Sequence, residues 1–212
     1  MLEIHLFVNP LGLGCINCEQ SLLTIDHDIS TKINYQFIPL LNMQTISETM
    51  SLYQESKCGL ALRNHTAQVL MQVTMDYEAA LFQGRRRARL YLLQLQKALL
   101  NNSRHYSSEL AQKTAVKAKL DIDMFLEDRQ SALAKRSFKR HQQFASGLGV
   151  FSPSTAVVVD TDNPKYSLLV DNFDMRTLID AYRNHQLDNQ VSPVSLAKQL
   201  SLFTCVRNNK KN

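Results

Sequence analysis

An alternating strand pattern that leads into two cysteines is the feature that most constrains the fold of this chain. Every second residue near the N-terminus is aliphatic, which predicts a β-strand: Leu2, Ile4, Leu6 and Val8. Asn9-Pro10 then ends the strand, because proline has no N–H to donate to a neighbouring strand and restricts the residue before it. The chain therefore predicts a strand followed at once by a tight change of direction.

Two cysteines, Cys15 and Cys18, stand three positions apart just beyond this turn. Gly12 and Gly14 give the turn flexibility, and residues 19–23 favour a helix. The free N–H groups and partial positive charge at a helix N-terminus stabilise a thiolate, and the second sulfur lies within disulfide reach of the first. In a chain without a secretory signal, this spacing points to thiol–disulfide chemistry on a thioredoxin-like unit.

Length and composition limit the classes of protein that remain. A chain of 212 residues can form one large domain or two small ones. No apolar run approaches the roughly 18 residues that a membrane span needs, and Glu3 and His5 interrupt any apolar signal-peptide region. We therefore expect a cytoplasmic protein without a membrane segment. The other cysteines, Cys58 and Cys205, are isolated, so the four do not form a disulfide framework.

The order of predicted elements indicates an α/β fold. Residues 29–41 predict a second strand, parallel to the first, so the chain opens as β-α-β. Residues 46–144 contain no proline and are rich in helix formers, which predicts an all-α insertion. Strand character returns at 155–159 and 166–170. We expect a thioredoxin-like domain of residues 1–45 and 148–212 around a helical insertion domain of residues 46–147.

Within the insertion, apolar spacing and capping residues predict several helices. Ser108 is expected to cap one helix, and Asp121 is expected to cap another that runs towards Phe144. Gly147 and Gly149 lie just past that end, where glycines commonly terminate helices. The predicted helices cover 46–55, 66–82, 85–100, 109–119 and 122–144 in the insertion, with a further helix at 175–184 and an amphipathic stretch at 194–203.

This arrangement resembles the DsbA-like branch of the thioredoxin superfamily, which includes FrnE-type dithiol-disulfide isomerases. Within that branch it is most similar to the YjbH/SpxH proteins. The resemblance rests on the segments 6–11 with Cys15 and Glu19, 79–87 (AALFQGRRR), 92–97 and 120–128. It implies an adapter that binds the regulator Spx and presents it to the ClpXP protease. The alternative from another class is a cytoplasmic thiol–disulfide oxidoreductase or isomerase. A glutathione transferase of the kappa type would need an activating hydroxyl, which neither Cys15 nor Gly12 supplies.

The resemblance leaves two registers open for the cysteine motif. Aligned without a gap from Pro10, Gly12 takes the place of the family's first cysteine and Cys15 that of the second. With an insertion of three residues in the turn, Cys15 and Cys18 take the two places instead. Cys15 would then be the attacking thiolate and Cys18 the resolving thiol. The alternative to redox chemistry is a pair of inert, partly buried cysteines.

The resemblance also assigns a role to Pro153, just before the third strand. A cis-proline there faces the active cysteine in thioredoxin-like folds, and Ser152 with the nearby backbone would pair with a bound partner strand. The alternative is a trans proline that starts a strand. These two residues complete the predicted site.

Basic residues form two clusters, Arg85–Arg87 with Arg89, and Lys135, Arg136, Lys139 and Arg140. A solvated helix face is the commoner explanation for such clusters, and a docking surface for an acidic partner is the alternative. No nucleic-acid-binding motif accompanies the charge. A zinc site would need two more ligands, which the scattered histidines do not suggest. We expect no cofactor and no metal.

Overall fold

The computed structural model describes residues 2–12, 33–52, 59–101, 106–160, 166–170, 173 and 204–208. Within these, the chain divides into two compact units. The first holds residues 2–8, 33–38 and those from 152 onward, and the second holds 9–12 and 39–151. The first unit is a sheet and the second is helical.

The sheet of the first unit has five strands in the order β2-β1-β3-β4-β5. Strand β3 pairs antiparallel with β1 and with β4, and β4 pairs antiparallel with β5. The bounds are β1 Leu2–Val8, β2 Ile33–Pro39, β3 Thr155–Asp160, β4 Tyr166–Val170 and β5 Thr204–Asn208. Phe7 is as deeply buried as Ile4 and Leu6, although Glu3 and His5 on its face of β1 are partly exposed.

The sequence predicts no strand at 204–208, yet the structure has β5 there. In the structure Val206 lies opposite Leu168 and Arg207 opposite Ser167. Thr204–Asn208 is a short segment, and pairing with β4 rather than local propensity makes it a strand. The predicted turn at 161–164, the helix at 175–184 and the stretch at 194–203 lie outside the described residues.

The second unit confirms the helical insertion. Its six described helices are α1 Met43–Leu52, α2 Leu60–Phe82, α3 Arg85–Asn101, α4 Ser108–Lys117, α5 Ile122–Asp128 and α6 Ala132–Leu148. The long helix α2 packs against α1, α3, α5 and α6. An apolar stripe of α3, formed by Leu92, Leu95 and Leu99, is buried. These helices together bury the core of the unit.

Several predicted helix boundaries were wrong. The first two helices of the insertion begin at Met43 and Leu60, before the predicted starts at 46 and 66. The cap of α4 is Ser107 and not Ser108, since the Ser107 side chain accepts a hydrogen bond from Leu110 N at 3.1 Å. The single helix expected from Asp121 towards Phe144 is two helices. Asp121 does cap the first, but Ser131 caps a second by accepting from Ala134 N at 3.0 Å.

The C-terminal end of α6 is confirmed in part. Gly149 adopts a left-handed conformation, with φ of 69°, and ends the helix as expected. Gly147, which was also expected to lie beyond the end, is inside α6. None of the helices in the described segments is both long enough and apolar enough to cross a bilayer.

Candidate functional site

The two predicted redox cysteines, Cys15 and Cys18, lie outside the described residues. The structure does describe the turn that leads to them, residues 9–12, and the turn that carries Ser152 and Pro153. The first belongs to the helical unit and the second to the sheet unit, so each is described by itself.

The turn at 9–12 is organised by a buried asparagine. Asn9 is only 1% exposed, and its carbonyl oxygen accepts a hydrogen bond from Gly12 N at 2.9 Å. Its side-chain Oδ1 accepts from Leu11 N at 3.1 Å, while Nδ2 donates to Thr49 Oγ1 at 3.0 Å and to Thr45 O at 3.3 Å. One side chain therefore shapes the turn and attaches it to α1.

A second buried amide holds the same turn from α3. Gln96, 2% exposed, donates from Nε2 to the carbonyl oxygen of Pro10 at 3.0 Å. Proline offers this carbonyl as its one backbone hydrogen-bonding group. The turn that precedes the cysteines is thus fixed by side chains from two helices. Sequence reasoning missed Asn9 and Gln96 in this role, because a buried amide has the same local sequence signal as an exposed one.

We expect replacement of Asn9 by alanine to lower the free energy of unfolding by about 2 kcal/mol. The change removes the side-chain hydrogen bonds and leaves the amide of buried Leu11 without its partner, and each such loss is worth about 1 kcal/mol. Urea denaturation followed by circular dichroism measures the effect. Gln44→Ala on the exposed face of α1 is the control, with a change below about 0.5 kcal/mol. Equal effects of the two substitutions would contradict the role given to Asn9.

The turn before β3 differs from the predicted one. No cis peptide bond occurs among the described residues, so the bond between Ser152 and Pro153 is trans and the cis expectation was wrong. A trans bond is the intrinsically favoured state of an X–Pro bond. The chain turns instead at Ser154, which adopts a left-handed conformation with φ of 62°.

The backbone of Ser154 is already used within the sheet unit. Its N–H donates to Phe7 O at 2.8 Å, and its carbonyl accepts from Phe173 N at 2.7 Å. These groups are therefore not available to an extended substrate. Ser152 and Pro153 are partly exposed, and their predicted contact with a partner strand stays a prediction.

A buried carboxylate cluster lies elsewhere in the helical unit and was not expected. Asp76 on α2 is 1% exposed. Its Oδ1 accepts from Arg129 Nε at 2.7 Å, and its Oδ2 accepts from the hydroxyls of Tyr91 at 3.0 Å and Tyr106 at 2.6 Å. Arg129 also donates from Nη2 to Tyr106 Oη at 2.6 Å and from Nη1 to Ser108 Oγ at 3.0 Å. This Asp76 cluster joins α2, α3, α4 and the end of α5.

The cluster is a satisfied network beside a cavity of about 340 Å³ that Met71 and Met75 also line. Burial raises the pKa of Asp76, against the lowering effect of the Arg129 guanidinium and of the hydrogen bonds. Burial and the Asp76 carboxylate raise the pKa of both Tyr91 and Tyr106 above the usual value of 10. Both hydroxyls therefore remain protonated donors, and the network is suited to holding helices together.

These two tyrosines predict a loss of stability in alkali. The native state keeps both phenolic protons while the unfolded state loses them, so their contribution is complete below about pH 10 and declines above it. Between pH 10 and 11 each tyrosine is expected to lower the free energy of unfolding by about 1 kcal/mol. Urea denaturation at both pH values measures this slope, which is the change in the free energy of unfolding per pH unit. The variant Tyr91→Phe/Tyr106→Phe should show a shallower slope, and an unchanged slope would contradict the assignment.

A second buried carboxylate, Glu78, pairs with α6. Its Oε2 accepts from Ser137 Oγ at 2.7 Å, and its Oε1 lies 2.6 Å from His141 Nδ1. The structure thus brings a serine, a histidine and an acid together. The serine hydroxyl bonds the carboxylate and not the imidazole, so the histidine does not act as a base towards it. Within the described ranges, no three metal-ligating side chains converge.

Comparisons with known proteins agree with the topology. The thioredoxin family model matches residues 5–181 of this chain. A proposed protein disulfide isomerase from Nitrosomonas europaea superposes with a TM-score of 0.62 at 11% identity, covering 94% of this chain and 96% of that one.

Two further solved structures are similar. The thiol-disulfide exchange protein alpha-DsbA2 from Wolbachia pipientis gives a TM-score of 0.54 at 14% identity over 87% of this chain and 81% of its own. The oxidoreductase DsbA from Xylella fastidiosa gives 0.53 at 12% identity over 88% and 87%. At these identities the likeness establishes the fold, a DsbA-like α/β fold with a helical insertion.

Proposed function

The chain belongs to the thioredoxin family, and on that premise we propose that it is a cytoplasmic thiol–disulfide oxidoreductase or isomerase with Cys15 as nucleophile and Cys18 as resolving thiol. The observation that carries the proposal is the cysteine pair three residues apart, placed directly after a turn that two helices hold in position. Restricting the chain near a nucleophile reduces the conformational freedom that is lost when the nucleophile attacks a substrate sulfur. The substrate class is a protein or small-molecule disulfide.

The chemistry is an exchange of two electrons between disulfides. The Cys15 thiolate attacks one sulfur of the substrate disulfide, forms a mixed disulfide and expels the other sulfur as a thiolate, which takes up a proton. The Cys18 thiolate then attacks the sulfur of Cys15, releases the second substrate thiol and leaves a bond between the two cysteines. The substrate is reduced and the pair is oxidised. A low-molecular-weight thiol such as glutathione would restore the reduced pair.

The geometry of Gly12 supports the register with Cys15 as the first cysteine. A β carbon at position 12 would lie 3.0 Å from Cβ of Asn9, closer than side-chain carbons normally approach. Any side chain there, including that of a cysteine, would require Asn9 to move by a few tenths of an ångström. Position 12 is therefore poorly suited to carry the nucleophile, and the first thiol after the turn is Cys15.

A glutathione redox titration tests the proposal, with thiol trapping and mass spectrometry on the Cys58→Ser/Cys205→Ser variant. We expect an intramolecular disulfide with a potential between roughly −270 and −120 mV. In an insulin reduction assay this variant should keep its turnover, whereas a further Cys15→Ser change should lower it at least about a hundredfold. If no disulfide forms at any glutathione ratio, the catalytic proposal is overturned.

The second candidate is the adapter function that the YjbH/SpxH resemblance implies, in which the chain presents an Spx-like regulator to ClpXP. The support for it is the sequence resemblance itself, and two of the resembling segments contact each other. Gln83, after α2, donates from Nε2 to Asp121 O at 2.9 Å and accepts from Asp121 N at 2.7 Å. An adapter would bind the regulator in a stoichiometric complex, accelerate its degradation by ClpXP and keep both properties after Cys15→Ser. Loss of both with that change would exclude it.

A further inference from the structure

We propose that the outer face of α6, formed by Leu133, Arg136, Lys139, Arg140 and Gln143, is a docking surface for an acidic peptide segment of a partner protein. The side chains of this α6 face line a shallow depression of about 490 Å³. The inference concerns helix α6 alone and does not depend on the redox proposal.

The inner face of α6 is tightly anchored, so the outer face is a rigid platform. Ser137 and His141 contact the buried carboxylate of Glu78 on α2. Gln142 donates from Nε2 to Pro39 O at 2.7 Å and accepts from Leu41 N at 3.2 Å. Because the helix is attached at several points, the cations on its other side are held in place before any partner arrives, which reduces the entropy lost on binding.

The outer face carries positive charge that nothing in the described part of the chain neutralises. Helix α6 contains four lysine or arginine residues and no aspartate or glutamate. All four, Lys135, Arg136, Lys139 and Arg140, are exposed, and none has an ion pair with a described carboxylate. By contrast, the exposed Lys113 is paired with Glu109 four residues earlier on α4. The charge on α6 is therefore free to act on a partner.

The spacing of the cations on the α6 face indicates which kind of peptide can bind there. Arg136 and Arg140 are one helical turn apart, about 6 Å along the axis. Alternate residues of an extended peptide are separated by about 7 Å, so two carboxylates at positions i and i+2 match the two guanidinium groups. Leu133 is 44% exposed at the N-terminal end of the depression and offers a contact for one apolar side chain. A peptide that matches the α6 face therefore has one apolar residue followed by aspartate or glutamate at every second position.

The same features favour a peptide over a nucleic acid. Three cations along a face about 15 Å long neutralise few phosphates, and affinity for nucleic acid rises with the number neutralised. No aromatic side chain lines the depression, so it has no surface on which a base could stack. Its lining combines charge with an aliphatic side chain, as a mixed acidic and apolar peptide requires.

The test is fluorescence anisotropy of the full chain with a fluorescein-labelled twelve-residue peptide that has one leucine followed by four alternating glutamates. The test variant is Arg136→Gln/Lys139→Gln/Arg140→Gln. The matched control is Arg86→Gln/Arg87→Gln/Lys97→Gln, which removes the same charge from exposed positions on α3. Circular dichroism establishes that both variants are folded. Leu133→Ser is a further single change within the α6 face.

We expect saturable binding that weakens about tenfold in the test variant, less than twofold in the control and severalfold in Leu133→Ser. Replacing the peptide's glutamates by glutamines should have the same effect as removing the cations. Equal weakening in the test and control variants would overturn the proposal, because the attraction would then be general. Absence of binding would also overturn it, as would tighter α6-dependent binding of a twenty-nucleotide RNA.

Discussion

Replacement of Arg129 by methionine is expected to lower the free energy of unfolding by about 3–5 kcal/mol. Removing one member of a buried ion pair leaves the other without a compensating charge, which is a strongly destabilising change. Here the group left without a counter-ion is the carboxylate of Asp76. It is 1% exposed and would retain only its hydrogen bonds from Tyr91 and Tyr106. Equilibrium urea denaturation gives the difference from the wild-type chain.

Two comparisons separate this effect from a loss of packing. Arg87→Met removes an exposed cation from α3 and should change stability by less than about 0.5 kcal/mol. Adding Asp76→Asn to Arg129→Met removes the stranded charge but keeps an oxygen that accepts from Tyr91 and Tyr106. This double variant should recover part of the lost stability. If it is less stable than Arg129→Met, the buried charge is not the main cause.

The second large effect is expected from Phe125→Ala, at about 3–5 kcal/mol. Phe125 is fully buried on the short helix α5, and its ring lies 5.2 Å from that of Tyr91 and 5.6 Å from the guanidinium carbon of Arg129. The substitution therefore creates a cavity and removes both ring contacts. Phe151→Ala makes the same change at a residue that is 62% exposed and should have little effect. Thermal and urea denaturation measure the stability of both variants. Similar losses of stability in the two would contradict the packing described for Phe125.

The sequence predicts those parts of the fold that local pattern determines. The β-branched run at 155–159 and the segment 166–170 are strands, and the helix formers between 46 and 144 are helices. The thioredoxin-like family assignment also holds. By contrast, β5 becomes a strand through its pairing with β4. The break before α6 depends on the local choice of Ser131 as a cap within an otherwise continuous helical pattern.

Buried polar groups are what the sequence does not reveal. Asp76 and Glu78 have the residue types of a solvent-facing helix, and only the positions of Arg129 and His141 explain why they are inside. One sequence feature could have indicated their burial, since both acids fall within a largely apolar stretch of α2. That stretch is buried from Val73 to Ala80, apart from the partly buried Met75. Arg89 was grouped with the exposed basic cluster at 85–87, yet it is only 8% exposed. Charge patterns in sequence do not distinguish these environments.

Of the candidate site, the sequence supplies the cysteine pair and the proline before β3, because both are short motifs. The internal use of the Ser154 backbone depends on its contacts with Phe7 and Phe173, which the local motif does not reveal. The support that α1 and α3 give to the turn at 9–12 is equally non-local. Motif recognition thus finds the candidate residues, and packing decides how the described turns at 9–12 and 152–154 are held.

The attachment of that turn limits how the chain can be divided. Deleting residues 46–147 to obtain a minimal thioredoxin-like module would remove Thr49 and Gln96, the partners of the Asn9 side chain and the Pro10 carbonyl. The truncated protein would keep both cysteines but lose the hydrogen bonds that shape the approach to them. The turn at 9–12 therefore does not fold independently of the helical insertion, and a shortened form of this protein must replace those two polar contacts.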